Sequence, residues 1–596
     1  MVDFSEIDFP KFQQKITPLN DENLSILELG SSLQRYDCSS LTDTEQAALD
    51  LFKRISSICL SDDIKSPFVP LLHFADGNRT CIPEDITSDE MDFFIMILDY
   101  VSNNMLKARI ADILWVRKYK KKGIVYPEMV VEKYLPSTID FNAPNFFANL
   151  RCWRRGLSVA KQINKEESLE CFGRNVLNYL SQTKFERDDY AFELIKLLRL
   201  FGLCAEQKDE IIKKAVEWGD KLKNVDCFLA CLYYDEASLW ADSQKQSDDY
   251  VKLQIKCVET YAQEAEKSES GNMAAIYYET AFKILRDLNK EKRLQYFSVE
   301  QENELIRNIK LSGKQSLSEM KEHDFTFDVS ELVKYVIDNI KGQNSGLALK
   351  NFTTLFGRIS FKKLEKNAID LIRAFPLLSS LGHTIYASDG RVVARTPGFN
   401  DFNDLSWKNP AVWQSMVWQY GNRIYVLVQI AILPALQIIR CEHDIQLNDI
   451  IRIVRKSNLI PTDRVEVFAK GLYAGFSYDF ITALNLLVPQ IEHMVRYHLQ
   501  EAWVKTSVIE KGIEQETGLS TLIDKEKTKE IFREDLWFEI KALFCDGAGP
   551  NLRNNVAHGL LSSDEMKGLY SIYCWWFCFK LVYIGFYNTE RNEDKK

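Results

Sequence analysis

The chain has 596 residues, 46% apolar and 27% charged, with a formal net charge of −10. That length exceeds what one hydrophobic core organises, and the composition excludes a disordered chain. The acidic balance also excludes a general polyanion binder, so any nucleic-acid contact has to come from a local basic patch.

Only 25 Gly and 15 Pro punctuate the sequence, too few for many short strands, and a mostly α, multi-domain helical protein is expected. Four segments suggest themselves: an N-terminal helical domain at 1–165, a helical repeat-like region at 166–342, a helical region with a short hairpin at 343–474, and a C-terminal domain at 475–590. The start "MVDFSEIDFPKFQQK" is acidic and has no long apolar run, unlike a signal peptide. Thirteen cysteines form no C-x-x-C pair, and a reduced, cytoplasmic setting is the expectation.

In the first segment, turn residues mark loops at "SDDIKSPFVP" and "FADGNRTCIPEDITSDE", and apolar residues recur at three and four from Glu90 onward. Two basic runs follow, "VRKYKKK" and "RCWRRG". Their Arg117, Lys118, Lys120, Lys121, Lys122, Arg151, Arg154 and Arg155 interleave with Trp115, Tyr119 and Trp153. Cations with aromatics suit phosphate contact plus base stacking, so these are candidate RNA-binding residues. A solvated helix end produces the same pattern.

From 166 to 342 helix follows helix. "DCFLACLYYDEASLWADS" and "NMAAIYYETAFKILRDL" mix small residues with aromatics at roughly the period of stacked helical pairs. "KGQNSG" (341–346) reads as a joint. Beyond it, "YASDGRVVARTPGF" predicts a small β-hairpin near 385–396, with Asp389-Gly390 as its turn. Two stretches, 424–439 and 570–587, are apolar enough to be mistaken for membrane spans, but Gln429, Pro434 and Gln437 interrupt one and Lys580 the other. Burial in a core or subunit interface is expected for both, with no membrane partner.

No phosphate-binding loop, dinucleotide fingerprint, H-E-x-x-H, EF-hand loop, zinc-spaced Cys/His cluster or G-x-S-x-G elbow occurs, and neither cofactor nor metal is expected. The stretch that carries chemistry is "GPNLRNNVAHGLL" (549–561). Asn551 is placed to cap a helix, and Leu552, Val556 and Leu560 to form its buried face. Asn554 and His558 are four apart, and Arg553 sits in the first turn near the positive end of the helix dipole, a setting that suits a phosphate. An amide, a guanidinium and an imidazole suffice for metal-free RNA cleavage, because the ribose 2′-hydroxyl is the nucleophile. A cap and an interface pair would use the same residues.

"RNNVAH" resembles the R-N-x-x-x-H motif of the HEPN superfamily, helical proteins that are often metal-independent endoribonucleases. "LFCDGAGPNLRNNVAHGLL" is similar to a domain family defined by R-N-x-x-x-H-G, which includes the endoplasmic-reticulum-membrane-associated RNA degradation protein. "GFSYDFITALNLLVPQIEHMVRYHL" (475–499) resembles the helix that precedes the motif there, and "ARIADILW" (108–115) resembles an N-terminal region found with it. The resemblance implies a C-terminal HEPN-type helical bundle with catalytic Arg553, Asn554 and His558. It also implies RNA as partner, a homodimer through the C-terminal domain, and 2′,3′-cyclic phosphate and 5′-hydroxyl products. A role in defence against phage follows only by analogy. Pro489 breaks or starts a helix on this reading. Glu492 and Arg496, four apart, pair and either position Arg553 or His558 or lock two helices together. His493 and His498, on the same helix, either line the same groove or are exposed or interface histidines. Ser562 and Glu565 form a capping box at the last helix, whose aromatic run packs on the motif helix or across a dimer interface. The competing reading is a non-catalytic dimerisation and binding module on a helical scaffold.

Overall fold

The computed structural model describes residues 4–22, 24–61, 63–72, 78–120, 123–136, 146–182, 191–320, 328–354, 357, 359–387, 389–400, 404–510 and 512–593. The protein is mostly helical, with three two-stranded antiparallel sheets among the described residues. It divides into two compact units, Met1–Glu319 and Met320–Lys596. Residues 1–165 and 166–319 share one continuous core, and residues 343–474 and 475–590 share another. The turn at 341–346 lies inside the second unit, where the Gly342 N–H donates to Glu442 at 2.8 Å.

In the first unit the helices Lys208–Leu222, Cys227–Ala241, Asp248–Lys267, Gly271–Asp287 and Val299–Glu319 pack in an up-and-down series. Small residues set the spacing. A Cβ on Gly219 would fall 2.5 Å from the Tyr234 ring, so that helix pair closes only over glycine. Nearer the N-terminus, the region expected to be a loop at 61–70 contains a strand, Phe68–Pro70, paired with Ile58–Leu60. Three-residue strands are too short to show a period in sequence.

In the second unit the C-terminal helix, Leu569–Glu593, forms the core. Trp575, Trp576, Phe577 and Phe579 are at most 1% exposed, and the helix packs against Leu447–Lys456, Val465–Phe476 and Phe480–Glu501. Within this unit these neighbours cover most of its aromatic surface, because aromatic residues on every face need walls on every side. Lys580, 8% exposed, lays its ammonium 4.9 Å from the Trp576 ring. The capping box at Ser562 and Glu565 forms at 2.7 and 3.2 Å, but it opens a separate helix, Ser563–Met566, ahead of the last one.

Pro410–Leu427 runs through a π-helical turn, Val428–Ile432, into Leu433–Glu442. Pro434 directly follows the π-helical turn inside this continuous helix. This 33-residue rod and Ser563–Glu590 are long and apolar enough to cross a membrane; the most apolar windows are 50% and 72% buried inside the protein. Pro489 neither breaks nor starts a helix. It sits within Phe480–Glu501, whose Ile491, Met494, Val495 and Leu499 are at most 1% exposed, and this packing outweighs one lost backbone bond. The expected hairpin is His383–Tyr386 paired with Val392–Thr396, with Gly390 at φ 86° in its turn.

One close approach fixes the core beneath the site. A Cβ on Gly475 would lie 2.2 Å from Trp575, whose indole N–H donates to the Leu472 carbonyl at 2.8 Å. Gly475→Ala should therefore destabilise the chain by about 1–3 kcal/mol, read as a lower urea midpoint; an unchanged midpoint would contradict this contact.

Candidate functional site

The motif helix is short. Six residues, Leu552–Ala557, are helical, and Asn551 precedes them in a left-handed conformation at φ 47°. Asn551 does not cap the helix through its side chain. Its Oδ1 accepts instead from Asn554 Nδ2 at 2.9 Å. A six-residue helix also carries little macrodipole, so the phosphate-binding role expected of its N-terminus falls away. Leu552 is 2% exposed and Val556 is partly buried, but Leu560 is 47% exposed, because the helix ends before reaching it. Gly559, at φ 62°, closes a Schellman turn: its N–H donates to Val556 O at 3.2 Å, and Leu560 N–H to Asn555 O at 2.8 Å.

Arg553 points across to the Phe480–Glu501 helix. Its Nε donates to Glu492 Oε2 at 2.8 Å and its Nη1 to Asn554 Oδ1 at 3.2 Å. The other Glu492 oxygen accepts from Arg496 Nη2 at 2.8 Å, and that guanidinium also reaches Glu516 at 3.0 Å and the Thr517 carbonyl at 2.6 Å. One carboxylate thus bridges two guanidiniums, and a second binds the outer one. The Arg553 side chain is 29% exposed and that of Glu492 16%. Of the five guanidinium N–H donors, two are spent on these partners, which leaves donors for an incoming anion. Glu492 and Arg496 pair along their helix, and the pair positions Arg553 rather than His558.

Asn554 is occupied on both ends of its amide, by Arg553 and Asn551, so neither end holds the His558 imidazole. His558 caps the helix at its C-terminal end, exposed, with its imidazole free of hydrogen-bond partners among the described residues. Arg553 lies in the first turn of the helix, and His558 stands at its C-terminal cap, just outside the six helical residues. His493 and His498 take no part. His498 is held by the Leu459 carbonyl at 3.1 Å and by the edge of Phe532, and burial holds the His493 imidazole below its ordinary pKa. Among the described residues no three His, Cys, Asp or Glu side chains gather as a metal site.

The basic runs of the first unit mostly serve its own fold. Arg155 is 6% exposed and pairs twice with buried Asp112, at 2.9 and 2.6 Å, which removes it as an RNA contact. A charge in that setting stays only because its partner is there. The stretch 108–115 supplies this partner along with Arg109, itself buried and bonded to the Ile58 carbonyl. Arg117 donates to Pro83 O at 2.8 Å, and Lys120 pairs with Asp92. Arg154 is half-buried and partnered. Trp153 is 4% exposed and unavailable for stacking. Lys118 and Arg151 are exposed; Lys121 and Lys122 lie outside the described residues.

Burial alone would raise the Glu492 carboxyl, but hydrogen bonds and charge from Arg496 and Arg553 outweigh it and hold the group below the usual carboxylate range. A lowered folded value means that the pairing stabilises above the pKa of an unfolded glutamate, about 4.3, and that this is lost as pH falls through the folded value. Glu492→Gln should therefore cost about 1–3 kcal/mol at neutral pH, with the gap to wild type closing in acid below the unfolded pKa. Equal stability at neutral pH, or a gap that persists in acid, would contradict the ionic pairing.

Residues 3–170 match a family described as a domain of unknown function, DUF7380. That match covers the buried Arg109, Asp112 and Arg155 cluster and stops well short of Arg553 and His558. Neither a curated protein nor a solved structure matches the chain.

Proposed function

We propose that the second unit is a metal-independent endoribonuclease of HEPN type. The observation that carries this reading is the arrangement of the "RNNVAH" residues: Glu492 holds Arg553 at the surface with donors to spare, and the exposed imidazole of His558 leaves the same short helix. A held guanidinium loses little freedom when it binds a phosphate, and histidine is the side chain most often used for general acid–base transfer.

The reaction balances without a cofactor. His558 takes the proton of a ribose 2′-hydroxyl as O2′ bonds to phosphorus. The P–O5′ bond breaks, and the 5′-oxygen takes a proton from the matching imidazole of a second copy in a C2 pair. Arg553 binds the phosphate oxygens as charge builds on them. Asn554 steadies Arg553 instead of orienting His558. The products are a 2′,3′-cyclic phosphate and a 5′-hydroxyl. Thirteen free cysteines fit a reduced, cytoplasmic setting.

A second reading has an observation of its own. The ion pair to Glu492 offsets the charge of Arg553, as suits a motif that only docks two helices, and the unit would then be a dimerisation and binding module. Incubation of the full chain with mixed RNA in chelator separates the two. The nuclease reading predicts cyclic-phosphate ends, with rates falling about 10²–10⁴-fold in His558→Ala and comparably in Arg553→Ala, while circular dichroism is unchanged. A 2′-deoxy sugar at the cut site should stop cleavage. No cutting by wild type, or continued cutting of the deoxy substrate, would overturn it.

A further inference from the structure

Trp503 is 97% exposed, more than any other large apolar side chain among the described residues. It follows the Phe480–Glu501 helix at the left-handed position, with φ 59°. Its N–H donates to Gln500 O and that of Val504 to Leu499 O, both at 2.9 Å, which closes a Schellman turn. Glycine holds that position without steric cost, and a bulky residue does not. Two unfavourable features therefore coincide on one residue, a strained backbone and a fully hydrated indole. Folding uses neither, since the indole has no ring or hydrogen-bond partner among the described residues.

The turn is coupled to the candidate site by short contacts. Three residues beyond Trp503, the Thr506 carbonyl accepts from Thr517 N–H at 3.0 Å and from its hydroxyl at 2.7 Å. The Thr517 carbonyl accepts from Arg496 at 2.6 Å. At the next residue, a Cβ on Gly518 would lie 3.1 Å from Arg553 Nη2. The strands Ser507–Glu510 and Ile513–Glu516 make a hairpin between these anchors, and Glu516 binds both Arg496 and the Thr506 hydroxyl. Trp503 is thus joined through this hairpin to the residues that hold Arg553, and Lys505, two residues further along the chain, is exposed.

We infer that Trp503 stacks on an unpaired base of the RNA, so that the site takes single-stranded rather than duplex substrate; this rests on the nuclease reading of Arg553 and His558. An indole face accepts any base, whereas bases inside a duplex are already stacked.

The test uses the full chain carrying His558→Ala, so that binding is read without cleavage. Fluorescence anisotropy in chelator compares an unstructured 12-nucleotide RNA with a 12-base-pair RNA duplex. Adding Trp503→Gly should raise Kd for the single strand about ten-fold or more and leave duplex binding unchanged. Trp503→Phe should retain most of the affinity. The thermal midpoint of the glycine variant should not fall, because glycine relieves the turn. Unchanged single-strand affinity in Trp503→Gly, or a preference for duplex in the parent, would overturn the inference. So would a change in sedimenting mass with no change in RNA affinity, which would make the indole a contact between copies. Cleavage assays with His558 intact run alongside: an inert wild type that still binds single strands through Trp503 would sink the nuclease reading alone.

Discussion

The carboxylate of Glu492 sits between two guanidiniums, and the geometry of the candidate site follows from that position. The group is partly buried, and a carboxylate there is tolerated only if its charge is met. Arg496 meets it along the helix, and Arg553 meets it from the motif helix. The second contact aims Arg553, keeps part of its guanidinium available, and ties a six-residue helix that could not persist alone to a 22-residue helix that can.

That long helix owes its own rigidity to the aromatic C-terminal helix behind it. Trp575 fills the space left by Gly475 and is edge-packed by Phe476 and Phe480, with ring centroids 5.1 and 5.8 Å away. Rings packed this closely have few alternative arrangements, so the face that bears Glu492 is well held. Rigid support under an exposed motif is what transition-state stabilisation requires.

Much of this was legible in the sequence for identifiable reasons. Periodicity gave the helical class, Asp389-Gly390 gave the hairpin turn, and the four-residue spacing of Glu492 and Arg496 gave their pairing. Contacts between distant segments were not legible. Arg155 reads as a free cation because its partner, Asp112, lies 43 residues away. Asn551 reads as a cap because nothing local announces a left-handed backbone that turns its side chain toward Asn554. The hairpin at 507–516 has exposed residues on both faces and therefore no apolar alternation to detect. Trp503 was missed because an aromatic residue after a helix normally packs, and only coordinates reveal one that does not.

The account comes down to one phosphate meeting Arg553 and His558 together. A crystal structure of the full chain with a short RNA carrying a 2′-deoxy sugar at the cut site tests this most directly. The predicted result is a phosphate oxygen within hydrogen-bond distance of the Arg553 guanidinium, with the 2′ carbon facing the His558 imidazole and the Glu492 contact kept. A phosphate bound elsewhere, with Arg553 closed onto Glu492 and His558 facing only solvent, would contradict it.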